Sequence, residues 1–213
     1  TARVGGPRVP RPIGLIQTAS EQHLLLEWIE GGRRSDAGSE EFGQALGAMH
    51  AAVVSLQDLP GGDAAVQGAG NSAGGYTAAG TAYSGSAHGT AGMAVRQFGF
   101  VGDNFIGSNP QRNTWCDSWV EFFAEYRLRY QLELAEKNGE GNSRMLRLGE
   151  KLLKKLPELL PDISRPSILH GDLWSGNIMA DENGSLVIID PAVYLGHFEA
   201  DLAMMELFGA PPT

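Results

Sequence analysis

The chain is poor in cysteine, in long apolar runs and in positive charge, and each shortage excludes something. Cys116 is the only cysteine, so no internal disulfide can form. That suits a reducing, intracellular compartment, with cytoplasm and plastid both compatible. The thiol itself is expected to be half-buried and structural. No apolar run approaches the ~20 residues of a membrane-spanning helix. Lys and Arg number 16 against 25 Asp and Glu, a formal net charge of −9. This argues against nucleic acid and anionic membrane surfaces as partners. The chain opens on Thr1, in mid-pattern, so the lack of a signal peptide carries no information. Between about 59 and 92 charge nearly disappears, apolar periodicity vanishes, and Gly, Ala, Ser and Thr dominate. Such a stretch buries too little to offset its ordering entropy and is expected to be a flexible insert. The chain as a whole, with 42% hydrophobic residues over 213 positions, suffices for one domain with a real core.

The most informative stretch is Ile168–Asp190, ILHGDLWSGNIMADENGSLVIID. Ser167–Leu169 reads as a strand and HGDLWSGN as a loop. The apolar runs 177–180 and 186–189 read as two strands joined by the turn 181–184, since Asn-Gly between apolar runs is a strong hairpin signal. The fold-back brings Asn177 and Asp190 close together. An amide oxygen and a carboxylate aimed at one point suit Mg²⁺, which takes hard oxygen ligands. Asp172 precedes Asn177 by the spacing of the catalytic loop H-R-D-x-x-x-x-N, in which the Asp is the base and the Asn and a later Asp hold Mg²⁺. Here Gly171 replaces the Arg, giving His170-Gly171-Asp172. Taken alone, each residue reads as a turn or a cap; the conjunction is far more specific.

HGDLWSGN, IDPAVYLGHFEADLAM and FGFVGDNFIG together resemble the fructosamine-kinase family, which is similar to the aminoglycoside phosphotransferases. The likeness extends from about Val9 to Phe208, interrupted by the insert. It implies a mixed α/β (α+β), protein-kinase-like fold with a mostly helical C-lobe. Residues 1–32 are then a remnant of the N-lobe and hinge, and 33–213 a kinase-like C-lobe truncated at its C-terminus. The implied activity is ATP- and Mg²⁺-dependent phosphorylation, at the sugar O3, of ketosamines, whether free or on glycated protein lysines, which leads to deglycation. By the same resemblance Asp172 is the base, Asn177 and Asp190 are metal ligands, and Trp174 is a wall for the sugar. Asn104 is a substrate contact or a turn-stabilising residue, and the backbone of Glu27, Trp28 and Ile29 is the adenine-binding hinge. Asp201 stiffens the catalytic loop, with His170 as further structural support. The family's phosphate-covering loop and its lysine have no counterpart before Val9, so a fragment is expected. Two other readings stay open: a kinase for another small hydroxylated substrate, such as an aminoglycoside or choline, and a non-catalytic pseudokinase acting as a binding module.

Elsewhere the pattern predicts an edge strand at 9–16, a buried strand at 23–29 and a helix capped by Ser39 with Phe42, Leu46, Met49 and Val53 inward. It predicts a long helix from Asp117 to Asn138-Gly139, with Trp119, Phe123, Tyr126 and Tyr130 on one stripe. A further amphipathic helix has Met145, Leu148, Leu152 and Leu156 as its core face, and a short apolar helix covers 198–208.

Overall fold

The computed structural model describes residues 4–18, 21–60 and 94–210. Most of the Gly/Ala/Ser-rich segment, residues 61–93, lies outside the described residues. The described residues fall into two compact units. One holds the chain up to Ala52, His170–Pro191 and the chain from Glu199. The other holds Val53–Leu169 and Ala192–Phe198.

In the first unit, β1 (Pro12–Gln17) pairs antiparallel with β2 (Gln22–Leu26), with a register shift between Pro12 and Gly14. The buried strand expected at 23–29 is not found: β2 stops at Leu26 and is exposed throughout, Leu24 at 61%. A two-stranded ribbon has two faces, and among the described residues no sheet or helix covers them. Only Ile29, beyond the strand, is buried.

Helix α1 (Asp36–Ala51) begins earlier than expected, at an N-cap formed by Ser35, whose Oγ accepts the Gly38 N–H. Ser39 lies inside the first turn and donates its hydroxyl to Ser35 O. Tertiary contact selects between the two serines, because Ser35 also donates its N–H and its hydroxyl to Gly184 O, each at 3.1 Å. A Cβ at Gly38 would stand 2.1 Å from that same carbonyl, so only glycine permits the approach. Phe42, Leu46 and Met49 are buried as expected, whereas Val53 falls beyond the helix and is exposed.

The hairpin of β6 (Ile178–Ala180) and β7 (Leu186–Ile188) pairs Ile178 with Ile188 and Ala180 with Leu186. Asp181 and Ser185 close a three-residue loop in which Gly184 takes φ +83°, the bulged hairpin form rather than the two-residue turn. The Asp181 carboxylate is buried. It accepts the N–H groups of Asn183 and Ser185 and pairs with Arg8, which also reaches Glu27. Helix α4 (Glu199–Phe208) completes this unit.

In the second unit, β3 (Asn104–Ile106) pairs with β4 (Asn109–Gln111), and β5 (Ser167–Leu169) pairs antiparallel with β8 (Tyr194–Gly196). The long helix α2 (119–137) is capped by Ser118. It is interrupted by a π segment, Phe123–Arg129, between the α stretches Trp119–Phe122 and Tyr130–Lys137. Trp119 of the expected stripe is buried, with Phe122 beside it, whereas Phe123, Tyr126 and Tyr130, in and after the widened turns, are only half-buried. The Trp119 and Phe122 rings meet Phe98 and Tyr194, and the Arg127 guanidinium lies 4.0 Å over the Tyr194 ring. Arg127 donates to Arg112 O and Asn113 Oδ1, while its Nε is buried with no hydrogen-bond partner.

Helix α3 (Ser143–Leu159) buries Gly149, Leu153 and Leu156, leaving the expected core residues Leu148 and Leu152 exposed. The backbone of Gly149 lies against the Leu132 side chain, where a Cβ would meet Leu132 Cδ1 at 2.4 Å. Val54, Leu56, Leu59, Val95 and Leu195 form a second apolar cluster. Leu59, expected at the edge of the solvated insert, is therefore core. No helix among the described residues is long and apolar enough to cross a membrane.

Candidate active site

The site is built in the first unit from the loop that follows β5. Helix α4 (Glu199–Phe208) carries Asp201 in its first turn, buried to 1% exposure. One carboxylate oxygen accepts the Gly171 N–H, and the other accepts the His170 N–H and Nε2 of His50, all at 2.9 Å. Three donors thus converge on one buried anion, which compensates its desolvation. At the other end of α4, Gly209 O accepts the Ser175 N–H at 2.8 Å. The loop is therefore tied to both ends of one helix. Gly171, at φ +83°, makes the turn that presents two consecutive N–H groups to Asp201.

His170 is almost fully buried. Its Nδ1 accepts the Asp172 N–H at 3.3 Å, which leaves the proton on Nε2, donated to Ile189 O at 2.9 Å. Burial lowers its pKa below the ordinary histidine value, outweighing the opposing pull of Asp201 and Asp172. A neutral imidazole thus links the loop to the end of the hairpin.

Asp172 and Asn177 are in direct contact. The Asn177 amide nitrogen donates to Asp172 Oδ2 at 2.9 Å and to Asp172 O at 2.8 Å. Asn177 O in turn accepts the Ile189 N–H at 3.0 Å. Asn177 is therefore set opposite Ile189 at the open end of the hairpin, with Asp190 the next residue. Asp190 is exposed, and it is the only non-glycine with positive φ (51°) among the described residues. A left-handed non-glycine costs about 1 kcal/mol or more, and such residues gather at functional sites. With its amide nitrogen turned to Asp172, Asn177 has its oxygen on the opposite side. That oxygen and the exposed Asp190 carboxylate are hard donors that fit Mg²⁺. No cluster of three or more His, Cys, Asp or Glu able to hold a metal occurs among the described residues. A two-ligand set leaves coordination positions to phosphates and water.

Trp174 is 38% exposed, and its indole lies over Gly176. The other sequence-predicted residues have partners of their own. The Glu27 N–H donates to Arg11 O and its carboxylate pairs with Arg8 and Arg11. Trp28 is 85% exposed, with its indole N–H on Glu30, and Ile29 is buried. Asn104 belongs to the second unit. Its amide donates to Val193 O, and its carbonyl accepts from Gln111 and Asn113. The sequence reading did not find His50. The available clue was its place at the end of the apolar stripe Phe42–Leu46–Met49, where a polar side chain needs a buried partner.

The fructosamine kinase family model matches residues 85–213. A "Probable ketoamine kinase" of Synechocystis is 39% identical over 97% of this chain and 55% of its own length. The chloroplastic protein-ribulosamine 3-kinase of Arabidopsis thaliana is 49% identical over 54% of this chain and 35% of its own length. A crystal structure from Thermobifida fusca, described as a "putative fructosamine-3-kinase", superposes with a TM-score of 0.70 at 32% identity. It is matched over 97% of this chain and 56% of that one. The chain thus spans about half the length of the Synechocystis and Thermobifida relatives.

Proposed function

The chain belongs to the fructosamine kinase family, and from that premise we propose that it supplies the catalytic loop and metal-binding hairpin of an ATP-dependent ketosamine kinase. The acceptor is the sugar of a ketosamine, free or on a protein lysine, and the phosphoryl group goes to O3. The observation that carries the reading is the Asp172–Asn177 pair on a loop held by Asp201. Asp172 accepts the proton of the attacking hydroxyl. The Asn177 amide keeps that carboxylate aimed, at 2.9 Å from Oδ2. Asn177 Oδ1 and Asp190 would hold Mg²⁺, which when bound offsets charge on the transferred phosphoryl group. Trp174 walls the sugar, and the backbone of Glu27, Trp28 and Ile29 takes the adenine edge.

The test is ATP consumption with ribulosyl- or fructosyl-lysine by the full-length protein and its Asp172→Asn variant. General-base removal lowers turnover by about 10²–10⁴-fold, with nucleotide binding retained. Turnover within a few-fold of the parent removes Asp172 from the base role.

A further inference from the structure

Gly176 is the middle residue of the 3₁₀ turn Ser175–Asn177. A Cβ built on it would lie 2.4, 2.5 and 2.9 Å from three atoms of the Trp174 six-membered ring and its junction. The indole therefore rests on bare backbone, two residues along from its own Cα. The turn beneath it is held from three sides. The Asn177 N–H closes it onto Trp174 O at 2.9 Å, the Ser175 N–H reaches Gly209 O at 2.8 Å, and the Ser175 hydroxyl reaches Phe208 O at 3.5 Å. Asn177 is further tied to Asp172 and Ile189. The indole has no such anchorage on its outer side, being 38% exposed. If a methyl group were placed on Gly176, the pinned turn would hold and the side chain would yield. The ring would move outward by about 1 Å or more to recover ordinary carbon–carbon contact near 3.5–4.0 Å.

We propose that Gly176 is a specificity-determining position, whose missing side chain sets how far the Trp174 indole projects and hence how large an acceptor sugar fits against it. This rests on the reading that Trp174 walls the sugar. Gly176 touches no reactant; it is a positioning residue acting through the indole. The outward shift narrows the acceptor space, so Gly176→Ala penalises a fructosyl adduct more than a ribulosyl one, which is smaller by one CHOH. A change of that size in a fitted pocket is worth roughly 10–200-fold in discrimination.

The experiment compares Gly176→Ala, Trp174→Ala and the double variant in the full-length protein, with fructosyl-lysine and ribulosyl-lysine as acceptors. Gly176→Ala is expected to raise the fructosyl-lysine KM about tenfold more than the ribulosyl-lysine KM, to leave the ATP KM unchanged and to change Trp fluorescence. In the Trp174→Ala background the same methyl is expected to change nothing. An equal loss with and without the indole would show that the methyl acts on the turn, overturning the proposal. So would an effect of Trp174→Ala on acceptor KM with none from Gly176→Ala. If Trp174→Ala leaves both acceptor KM values unchanged, the sugar-wall reading itself falls, and the specificity role with it.

Discussion

Replacing Asp201 tests whether the active-site loop is held from beneath. Its carboxylate is buried to 1% exposure and accepts three hydrogen bonds, from the His170 and Gly171 N–H groups and from His50. A hydrogen bond to a charged group contributes about 1.5–3 kcal/mol, and a buried donor left unpaired costs about 1–3 kcal/mol. The three bonds share one acceptor and are not additive, so the low end of their sum applies to Asp201→Ala, about 3–5 kcal/mol. For a chain of this size that lowers the melting temperature by roughly 10 °C, at about 2–4 °C per kcal/mol. Asp201→Asn keeps one acceptor oxygen but turns an NH₂ toward donors, and is expected to lose at least half as much. His50→Ala removes one of the three bonds and should cost about 1–2 kcal/mol. The assay is paired urea and thermal unfolding of the parent, the three single variants and the Asp201→Ala, His50→Ala double variant. Because His50 acts on Asp201, the double variant should cost clearly less than the sum of the singles. A melting temperature for Asp201→Ala within about 2 °C of the parent, or full additivity with His50→Ala, refutes the reasoning.

Asp190→Ala should weaken nucleotide binding in the presence of Mg²⁺ but not in EDTA, measured by calorimetry on the full-length protein. Equal loss in both conditions would make Asp190 structural. His170 gives a pH dependence of defined sign. Its pKa is lowered on folding from 6.5, so its neutral form contributes stability that is complete above the unfolded value and is lost as pH falls below it. The stability gap between the parent and His170→Gln should therefore narrow between pH 7.5 and pH 5.5. A constant gap in urea titrations at the two pH values would show that His170 does not titrate on unfolding.

The catalytic-loop hairpin was legible because its information is local. Two apolar runs and an Asn-Gly turn fix β6, β7 and the placing of Asn177 beside Ile189. The same segment's partners were not. The β5–β8 pairing joins residues 167–169 to 194–196, and nothing in either tripeptide names the other. Ser39 and Ser35 are equally good caps by composition, and the Gly184 carbonyl chose Ser35. In α3, leucines at 148, 152, 153 and 156 allow two helical faces, and the one that is buried carries Gly149, against Leu132. The π segment has no sequence signature of its own, so the stripe read along α2 drifted off the buried side after its first turn. Leu24–Leu26 look like core by composition, yet burial depends on a covering layer that the hairpin does not carry itself. Asp201 was legible only through a family resemblance, and His50 not at all, because their bond spans 151 positions.

The attachment of the loop to both ends of α4 has a consequence for how this part of the molecule tolerates change. Asp201 and Gly209 are held about 12 Å apart by helical rise alone, so α4 works as a gauge block against which the catalytic loop is cut to length. Side chains on its outer surface can vary freely without altering that gauge. A single inserted or deleted residue between the two anchors would turn one of them by about 100° and shift it by 1.5 Å. Either Asp201 would then lose the His170 and Gly171 amides, or Gly209 would lose Ser175. The stretch is therefore permissive of substitution and intolerant of indels. The amides of 170, 171 and 175 should open to solvent together with the helix rather than with the loop they belong to.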